Sequence, residues 1–195
     1  TPLEEAANDY VMLVEQFATL ADYLAVNVSS PNTPDLRKLQ AGDALTPLLS
    51  AIQAAREAQT VKLGRKTPVL VKLAPDLSET ELDAALDAIV NTRMDGVIIG
   101  NTTISRPTLQ SPMAGEIGGL SGKPLSAINQ AMVGRVVKLL DGKLPVVASG
   151  GVMTPADAQA RLDAGATLVQ LYSGLIYSGP ALVQQILNAG LKSSH

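Results

Sequence analysis

Residues 145–151 read Pro145-Val146-Val147-Ala148-Ser149-Gly150-Gly151, an apolar run that ends in three small residues. A second apolar run, 167–171, ends in Tyr172-Ser173-Gly174, and a predicted helix follows each run. Small residues leave backbone N–H groups accessible, and these groups suit a phosphate dianion, especially at the start of a helix. In (β/α)8 barrels a phosphate site commonly follows strands seven and eight. The two runs are therefore predicted to be those strands.

Helices and short apolar strands alternate along the rest of the chain. Strands are predicted at 23–28, 69–73, 96–99, 145–148 and 167–171, and helices at 2–20, 43–58, 79–90, 124–140, 155–164 and 180–189. Ser78 and Thr154 are predicted to cap two of the helices. Nearly continuous apolar strands are typical of a parallel sheet that is covered on both faces. The alternation therefore indicates an α/β fold.

Two parallel architectures fit this pattern, the doubly wound sheet and the barrel. No Gly-x-Gly-x-x-Gly follows a predicted strand, which argues against a dinucleotide-binding doubly wound sheet. Polar residues end every strand, as expected at the mouth of a barrel, so the barrel is favoured. The prediction is a single domain, 1–195, that forms strands four to eight of a (β/α)8 TIM barrel. A whole barrel needs about 250 residues, so the N-terminal strands are expected to be missing from the 195-residue sequence. Two open sheet edges would result.

Composition excludes several other classes of protein. The net charge is −3 and the lysines and arginines form no cluster, which argues against nucleic-acid binding. The sequence has no cysteine, so disulfides and thiolate-bound metals are excluded. The single histidine, His195, is the last residue, which argues against a histidine-based triad or metal site. No apolar run has the length of a membrane span.

The densest polar cluster is Asn27-Val28-Ser29-Ser30-Pro31-Asn32-Thr33, directly after a predicted strand. Amides both donate and accept hydrogen bonds, which suits a planar substrate with ring N–H, C=O and carboxylate groups. The alternative is a turn whose side chains bind its own backbone. The cluster alone does not decide between the two.

Lys72 interrupts an apolar strand, and a buried ammonium is costly unless an anion is near. A ligand at the barrel mouth is the favoured partner, and the alternative is a lysine that reaches solvent. Asn101-Thr102-Thr103 places another amide at a strand end. Gly118-Gly119-Leu120-Ser121-Gly122-Lys123-Pro124 lacks the P-loop spacing and is interpreted as backbone that approaches a flat ligand.

Four charged residues lie near the ends of predicted strands, and surface roles are favoured for them. Asp76 and Asp95 are predicted to be solvated loop acids. Arg37 and Arg106 could contact anions, but surface roles are favoured, since most arginines lie on the surface.

Together these motifs resemble the dihydroorotate dehydrogenases, in particular the quinone-linked class 2. The similar segments lie in the family's order and cover nearly the whole chain. They are the cluster from Asn27 to Thr33, Val71-Lys72-Leu73-Ala74-Pro75-Asp76-Leu77, Asn101-Thr102-Thr103, the run from Gly118 to Leu125, Ser149-Gly150-Gly151, and Leu168-Val169-Gln170-Leu171-Tyr172-Ser173. The resemblance covers only the C-terminal part of the family's barrel.

The resemblance implies oxidation of dihydroorotate to orotate in de novo pyrimidine (UMP) biosynthesis, with FMN as hydride acceptor and quinone as electron acceptor. Ser30 matches the family's serine base and Thr33 its relay partner. The implied substrate-binding residues are Asn27, Asn32, Asn101 and Thr102. The implied cofactor-binding residues are Asn27, Lys72, Ser121, Gly122, Gly150, Gly151, Tyr172 and Ser173.

The resemblance further implies peripheral membrane association through an N-terminal segment that this sequence does not contain. The membrane would be the inner membrane, on its cytoplasmic face in a bacterium, or the mitochondrial inner membrane in a eukaryote; the fragment itself is soluble-looking. Family members carry further flavin contacts and a substrate-binding lysine on their first three strands, so the fragment alone is expected to be inactive.

Two positions depart from the family pattern, and two alternative functions remain. Gly100 stands where threonine is expected, and Asp35 stands where many members have glycine. Another FMN barrel oxidoreductase, such as a 2-hydroxy-acid oxidase, is one alternative, although such sites use a histidine base. An inert barrel fragment is the other.

Overall fold

Five parallel strands form one sheet in the order of the sequence. The structure is a computed structural model that describes residues 1–106 and 109–189, so His195 lies outside it. The strands are β1 (Leu24–Asn27), β2 (Val69–Leu73), β3 (Gly96–Ile99), β4 (Val146–Ser149) and β5 (Leu168–Gln170). The helices are α1 (Ala6–Phe17), α2 (Gly42–Leu63), α3 (Glu79–Asn91), α4 (Ser126–Leu140), α5 (Pro155–Asp163), α6 (Ser173–Ser178) and α7 (Ala181–Asn188).

The sheet is curved, which separates the two architectures left open by the sequence. Nε2 of Gln170, at the end of β5, donates a hydrogen bond to Oη of Tyr23, which precedes β1, at 3.4 Å. In a flat sheet the first and fifth strands would lie four spacings apart, about 19 Å. The strand order also shows none of the reversal that a doubly wound sheet requires. This geometry is that of a barrel wall.

The hydrophobic core lies between the outer face of the sheet and the helices. In β2 the side chains of Val69, Val71 and Leu73 are buried on this face. Leu70 and Lys72 alternate with them, face the inside of the curve and are only partly buried. This alternation places Lys72 on the concave side near the carboxyl end of β2, the end at which a barrel binds its ligand.

Local sequence signals predicted most of the elements. The strands β2 and β3 match their predicted ranges, and the predicted caps Ser78 and Thr154 are confirmed, each as part of a capping box. The predicted helix 2–20 begins as a short 3-10 turn and continues as α1. Helix α2 is longer than predicted, and α6 was not predicted.

The prediction that Asp95 is a solvated loop acid is wrong. Its carboxylate pairs with the guanidinium of Arg56, whose side chain is 3% exposed, and with the ammonium of Lys66. The same carboxylate accepts a hydrogen bond from the backbone N–H of Val69 at 2.9 Å. Asp95 therefore ties the start of β2 to α2.

Replacing Asp95 with alanine should destabilise the protein by about 3 kcal/mol, because it leaves the buried Arg56 without its counter-ion. Urea unfolding measures the loss. Glu79→Ala is the matched control: it breaks the exposed pair with Arg135 and should cost less than about 1 kcal/mol. Equal losses in the two variants would contradict a structural role for Asp95.

Candidate functional site

The carboxyl ends of β2 to β5 open onto a cavity of about 500 Å³. All the predicted cofactor-binding residues except Asn27 line it, namely Lys72, Ser121, Gly122, Gly150, Gly151, Tyr172 and Ser173. Asn101 and Thr102, predicted to bind substrate, lie on the same wall. Residues from five separate segments therefore meet in one space, as parallel strands with a common direction dictate.

Two glycines after β4 bring backbone close to other parts of the chain. Gly150 and Gly151 have φ of +85° and +73°. A Cβ at position 151 would lie 2.5 Å from the backbone nitrogen of Ser126. A side chain at position 151 would therefore force the loop away from α4. The backbone of this loop forms part of the cavity wall.

The loop after β5 packs directly on the loop after β4. A Cβ at Gly174 would lie 2.3 Å from the carbonyl oxygen of Val152. The side chain of Tyr172 is 80% exposed at the mouth of the cavity. The two strand-end loops thus form one continuous surface, which the sequence predicted as a phosphate site.

Lys72 supplies a free positive charge to this surface. Its side chain is half-buried, and within the described residues its ammonium has neither an ion pair nor a hydrogen bond. Burial lowers the pKa of Lys72 below the usual lysine value. An anion in the cavity would offset the lost hydration.

The ammonium of Lys72 should titrate below the surface lysines, and its pKa should rise when an anion binds in the cavity. NMR of ¹³C-methylated lysines measures this, with the Lys72→Gln variant used to assign the signal. The signal of Lys143, an exposed lysine, is assigned with the Lys143→Gln variant and provides the comparison. A Lys72 signal that titrates together with that of Lys143 would contradict the effect of burial on Lys72.

A hydrogen-bonded cluster joins the ends of β1 and β3. The Oγ atom of Ser29 donates to Oδ1 of Asn27 at 2.9 Å and accepts from Nδ2 of Asn101 at 2.8 Å. Asn101 Oδ1 in turn accepts from the N–H of Thr102 at 2.8 Å. Ser29 is fully buried and was not predicted as a site residue, although its place between two predicted residues was the available signal. It orients both amides.

The remaining predicted residues of this loop lie outside the cavity wall. Oγ of Ser30 accepts a hydrogen bond from the N–H of Asn32 at 3.3 Å. Thr33 lines a separate groove of about 730 Å³ between α1 and β1. No hydrogen bond within the described residues joins Ser30 to Thr33. Asn27 is exposed, and Tyr10 Oη binds its carbonyl at 3.0 Å.

The surface roles predicted for Arg37 and Asp76 are wrong. Arg37 donates to the carbonyl oxygens of Ser29 at 2.9 Å and Thr102 at 2.8 Å, and it pairs with Asp76 at 2.6 Å. Asp76 also accepts a hydrogen bond from Thr103 Oγ1. Both charged side chains are about one-fifth exposed. Together they tie the loops after β1, β2 and β3 to one another.

Arg106 likewise holds backbone. It donates to the carbonyls of Thr103 and Glu116, both at 3.1 Å, and of Gly118 at 2.5 Å. These contacts fold the long loop after β3 back toward the cavity, so the predicted surface role of Arg106 is also wrong.

The structure accounts for glycine at position 100. Gly100 has φ of +102°, and a Cβ there would lie 2.1 Å from the carbonyl oxygen of Ser149 and 2.8 Å from Nδ2 of Asn129. Threonine does not fit this backbone. Asp35, at the other departure, has φ of +59°, a conformation that favours glycine.

Gly100→Ala should destabilise the protein by about 3 kcal/mol, because a strained φ and a steric contact add together. Gly64→Ala is the matched control, since Gly64 has φ of +65° with no atom within 4 Å of the added Cβ, and should cost about 1 kcal/mol. Thermal unfolding measures both. Equal losses would mean that the contact with Ser149 does not constrain position 100.

The model of the family described as dihydroorotate dehydrogenase matches residues 3–193. The chain belongs to this family. It is 46% identical over 190 residues to the dihydroorotate dehydrogenase (quinone) of Shewanella frigidimarina, covering 97% of this chain and 56% of the relative. The corresponding protein of Flavobacterium lutescens is 45% identical over 97% of this chain and 54% of its own length. The resemblance to the quinone-linked class is confirmed.

Solved structures of the family share the fold. The dihydroorotate dehydrogenase of Eimeria tenella in complex with ferulenol superposes with a TM-score of 0.87 at 37% identity, over 96% of this chain and 56% of that one. The ligand-free form gives a TM-score of 0.88 at 36% identity, over 96% and 58%. The chain therefore forms part of the family's α/β barrel and spans a little over half the length of the relatives it matches.

The described residues contain neither a membrane-spanning helix nor a cluster of metal-binding side chains. None of their helices is long and apolar enough to cross a membrane. No group of three or more histidine, cysteine, aspartate or glutamate side chains in the same part of the chain is placed to hold a metal ion.

Proposed function

We propose that residues 1–195 form a single FMN-binding part of a barrel enzyme that oxidises dihydroorotate to orotate and passes the electrons to a quinone. The observation that carries the proposal is the cavity at the strand ends, where the unpaired ammonium of Lys72 faces loops with accessible backbone amides. Membership of the family adds the substrate class.

The residues present fit FMN. A flat ring system needs a slot with a cation near its electron-accepting end, and a phosphate needs N–H donors. Lys72 supplies the cation, and the glycines of the two strand-end loops allow the close packing that brings backbone to the cavity wall. FMN, when bound, supplies the hydride-accepting chemistry. Lys72 would stabilise negative charge that develops in the cavity, an electrostatic contribution held in place by the strand.

The amide cluster is suited to hold the substrate. Asn101 and Thr102 lie beside Lys72 on the cavity wall, and Asn27 shares hydrogen bonds with Asn101 through Ser29. Because amides pair with both C=O and N–H groups of a pyrimidine ring, we assign substrate binding to Asn27, Asn32, Asn101 and Thr102.

We assign proton removal to Ser30, with Thr33 as its relay partner. Ser30 follows Ser29, whose carbonyl is fixed by Arg37 at 2.9 Å, so the backbone that carries the base is rigid. A serine hydroxyl is a weak base at its ordinary pKa and needs a relay to pass the proton on. Because no hydrogen bond joins Ser30 to Thr33 within the described residues, this relay would need a bridging group between the two hydroxyls.

Activity of the whole protein requires a closed barrel. Among the described residues, β1 and β5 each pair with only one neighbouring strand. We infer that the first three βα units of a full-length protein cover these edges, since the chain spans 56% of its relatives' length. Quinone reduction and peripheral attachment to the inner membrane would belong to that full-length protein.

Ser30→Ala in a full-length protein that carries this chain should slow reduction of the bound flavin by dihydroorotate at least about a hundredfold, since general-base catalysis contributes that much. The flavin content and the rate of reoxidation by quinone should not change. Anaerobic stopped-flow absorbance separates the two half-reactions.

Ser105→Ala is the matched control, because Ser105 is exposed in the loop after β3. Unchanged flavin reduction in the Ser30 variant would remove Ser30 from the mechanism. A wild-type protein whose flavin is not reduced by dihydroorotate would overturn the proposed function.

A further inference from the structure

Three consecutive carbonyl groups after β4 are held by three side chains that do not line the cavity. The carbonyl of Ser149 accepts from Nδ2 of Asn129 at 3.0 Å. The carbonyl of Gly150 accepts from Nη2 of Arg161 at 3.3 Å, and that of Gly151 from Oγ of Ser126 at 2.8 Å. Side chains of the helices α4 and α5 thus hold these three carbonyls from behind.

The N–H groups of the same peptides must point the other way. In a trans peptide the C=O of one residue and the N–H of the next lie on opposite sides of the chain, and the described chain has no cis peptide bond. Carbonyls held toward α4 and α5 therefore turn the N–H groups of Gly150, Gly151 and Val152 toward the cavity, which all three residues line. The positive φ of the two glycines permits this repeated orientation.

These three N–H groups are available to a ligand. Outside the strand ladder, no hydrogen bond within the described residues uses any of them as a donor. Successive backbone N–H groups that converge on one point bind anions. The loop is therefore an anion-binding surface whose geometry is fixed by the side chains behind it.

Arg161 is the central support. Its side chain is 1% exposed, and its guanidinium also binds Gln130 Oε1 and the carbonyl of Ser126 at 2.8 Å. Its Nε has no partner within the described residues. The buried charge adds positive potential behind the loop, and it interacts with the carboxylate of Asp157, which also pairs with Lys123 at 3.2 Å.

We propose that Ser126, Asn129 and Arg161 are positioning residues that present the amides of Gly150, Gly151 and Val152 to the phosphate of FMN. This rests on the proposed function. The three side chains set the preference of the protein for phosphorylated flavin and do not touch the ring system.

The test compares FMN with riboflavin, which lacks the phosphate. Dissociation constants for both are measured by quenching of flavin fluorescence on the full-length apoprotein. Wild type should bind FMN far more tightly than riboflavin. Arg161→Met should lower that ratio at least about tenfold, since a hydrogen bond to a charged group is lost along with the support of the loop. The affinity of this variant for riboflavin should stay within about twofold of the wild-type value. A loss of folding would instead weaken the binding of both flavins.

Two further variants keep the test decisive. Ser126→Ala removes only the hydroxyl that holds Gly151 and should lower the ratio about fivefold, the effect of one neutral hydrogen bond. Arg161→Lys should restore part of the preference. Arg135→Met, on the opposite side of α4 toward α3, is the matched control and should leave the ratio unchanged.

The outcomes separate the two proposals. If wild type prefers FMN and both Arg161→Met and Ser126→Ala keep that preference, the positioning role is wrong and the cofactor assignment stands. If wild type binds FMN no better than riboflavin, the phosphate site is wrong, and the proposed function loses the observation that supports it.

Discussion

The site depends on where the carbonyl groups of the strand-end loops find hydrogen-bond donors. A chain that leaves a parallel strand loses its ladder partner, and buried carbonyls must then be satisfied elsewhere. Arg37 satisfies Ser29 and Thr102, and Arg161 satisfies Gly150. A planar guanidinium suits this task because it offers five donors in a fixed arrangement. The loops after β1, β3 and β4 thus have a set backbone conformation without help from a ligand, which reduces the ordering cost of binding.

The concave face of the sheet holds a charged side chain without a partner in the described part of the chain, Lys72, and this unpaired charge marks the site. In register across β1, β2 and β3 lie Asn27, Lys72 and Ile98, and the ammonium in this row has lost hydration without gaining a partner within the described residues. Elsewhere the sheet obeys its apolar pattern, with Val69, Val71 and Leu73 buried under the helices. A local violation in an otherwise consistent fold is expected where a protein trades stability for ligand binding.

The fold was predictable because its elements depend on residues that are close in sequence. The side chains that hold the loops of the site were not predictable, because their hydrogen-bond partners are far away in sequence. The strands and capping boxes depend on residues close in sequence. The short helix α6 carries no apolar period over its six residues. Asp76 and Arg37 are 39 positions apart, and Arg161 and Ser126 are 35 apart. A charged residue in a loop or on a helix resembles a solvated one in sequence, so the sequence offered no sign that these arginines hold carbonyl groups.

Gly100 and Asn129 form a coupled pair that explains the departure from the family pattern. Nδ2 of Asn129 holds the carbonyl of Ser149, and the same nitrogen and carbonyl occupy the space that a Cβ at position 100 would need. Support for the loop after β4 therefore requires glycine at the end of β3. A member of the family with threonine at this position must hold the carbonyl that corresponds to Ser149 in some other way. Glycine at position 100 is thus part of the support of the loop after β4.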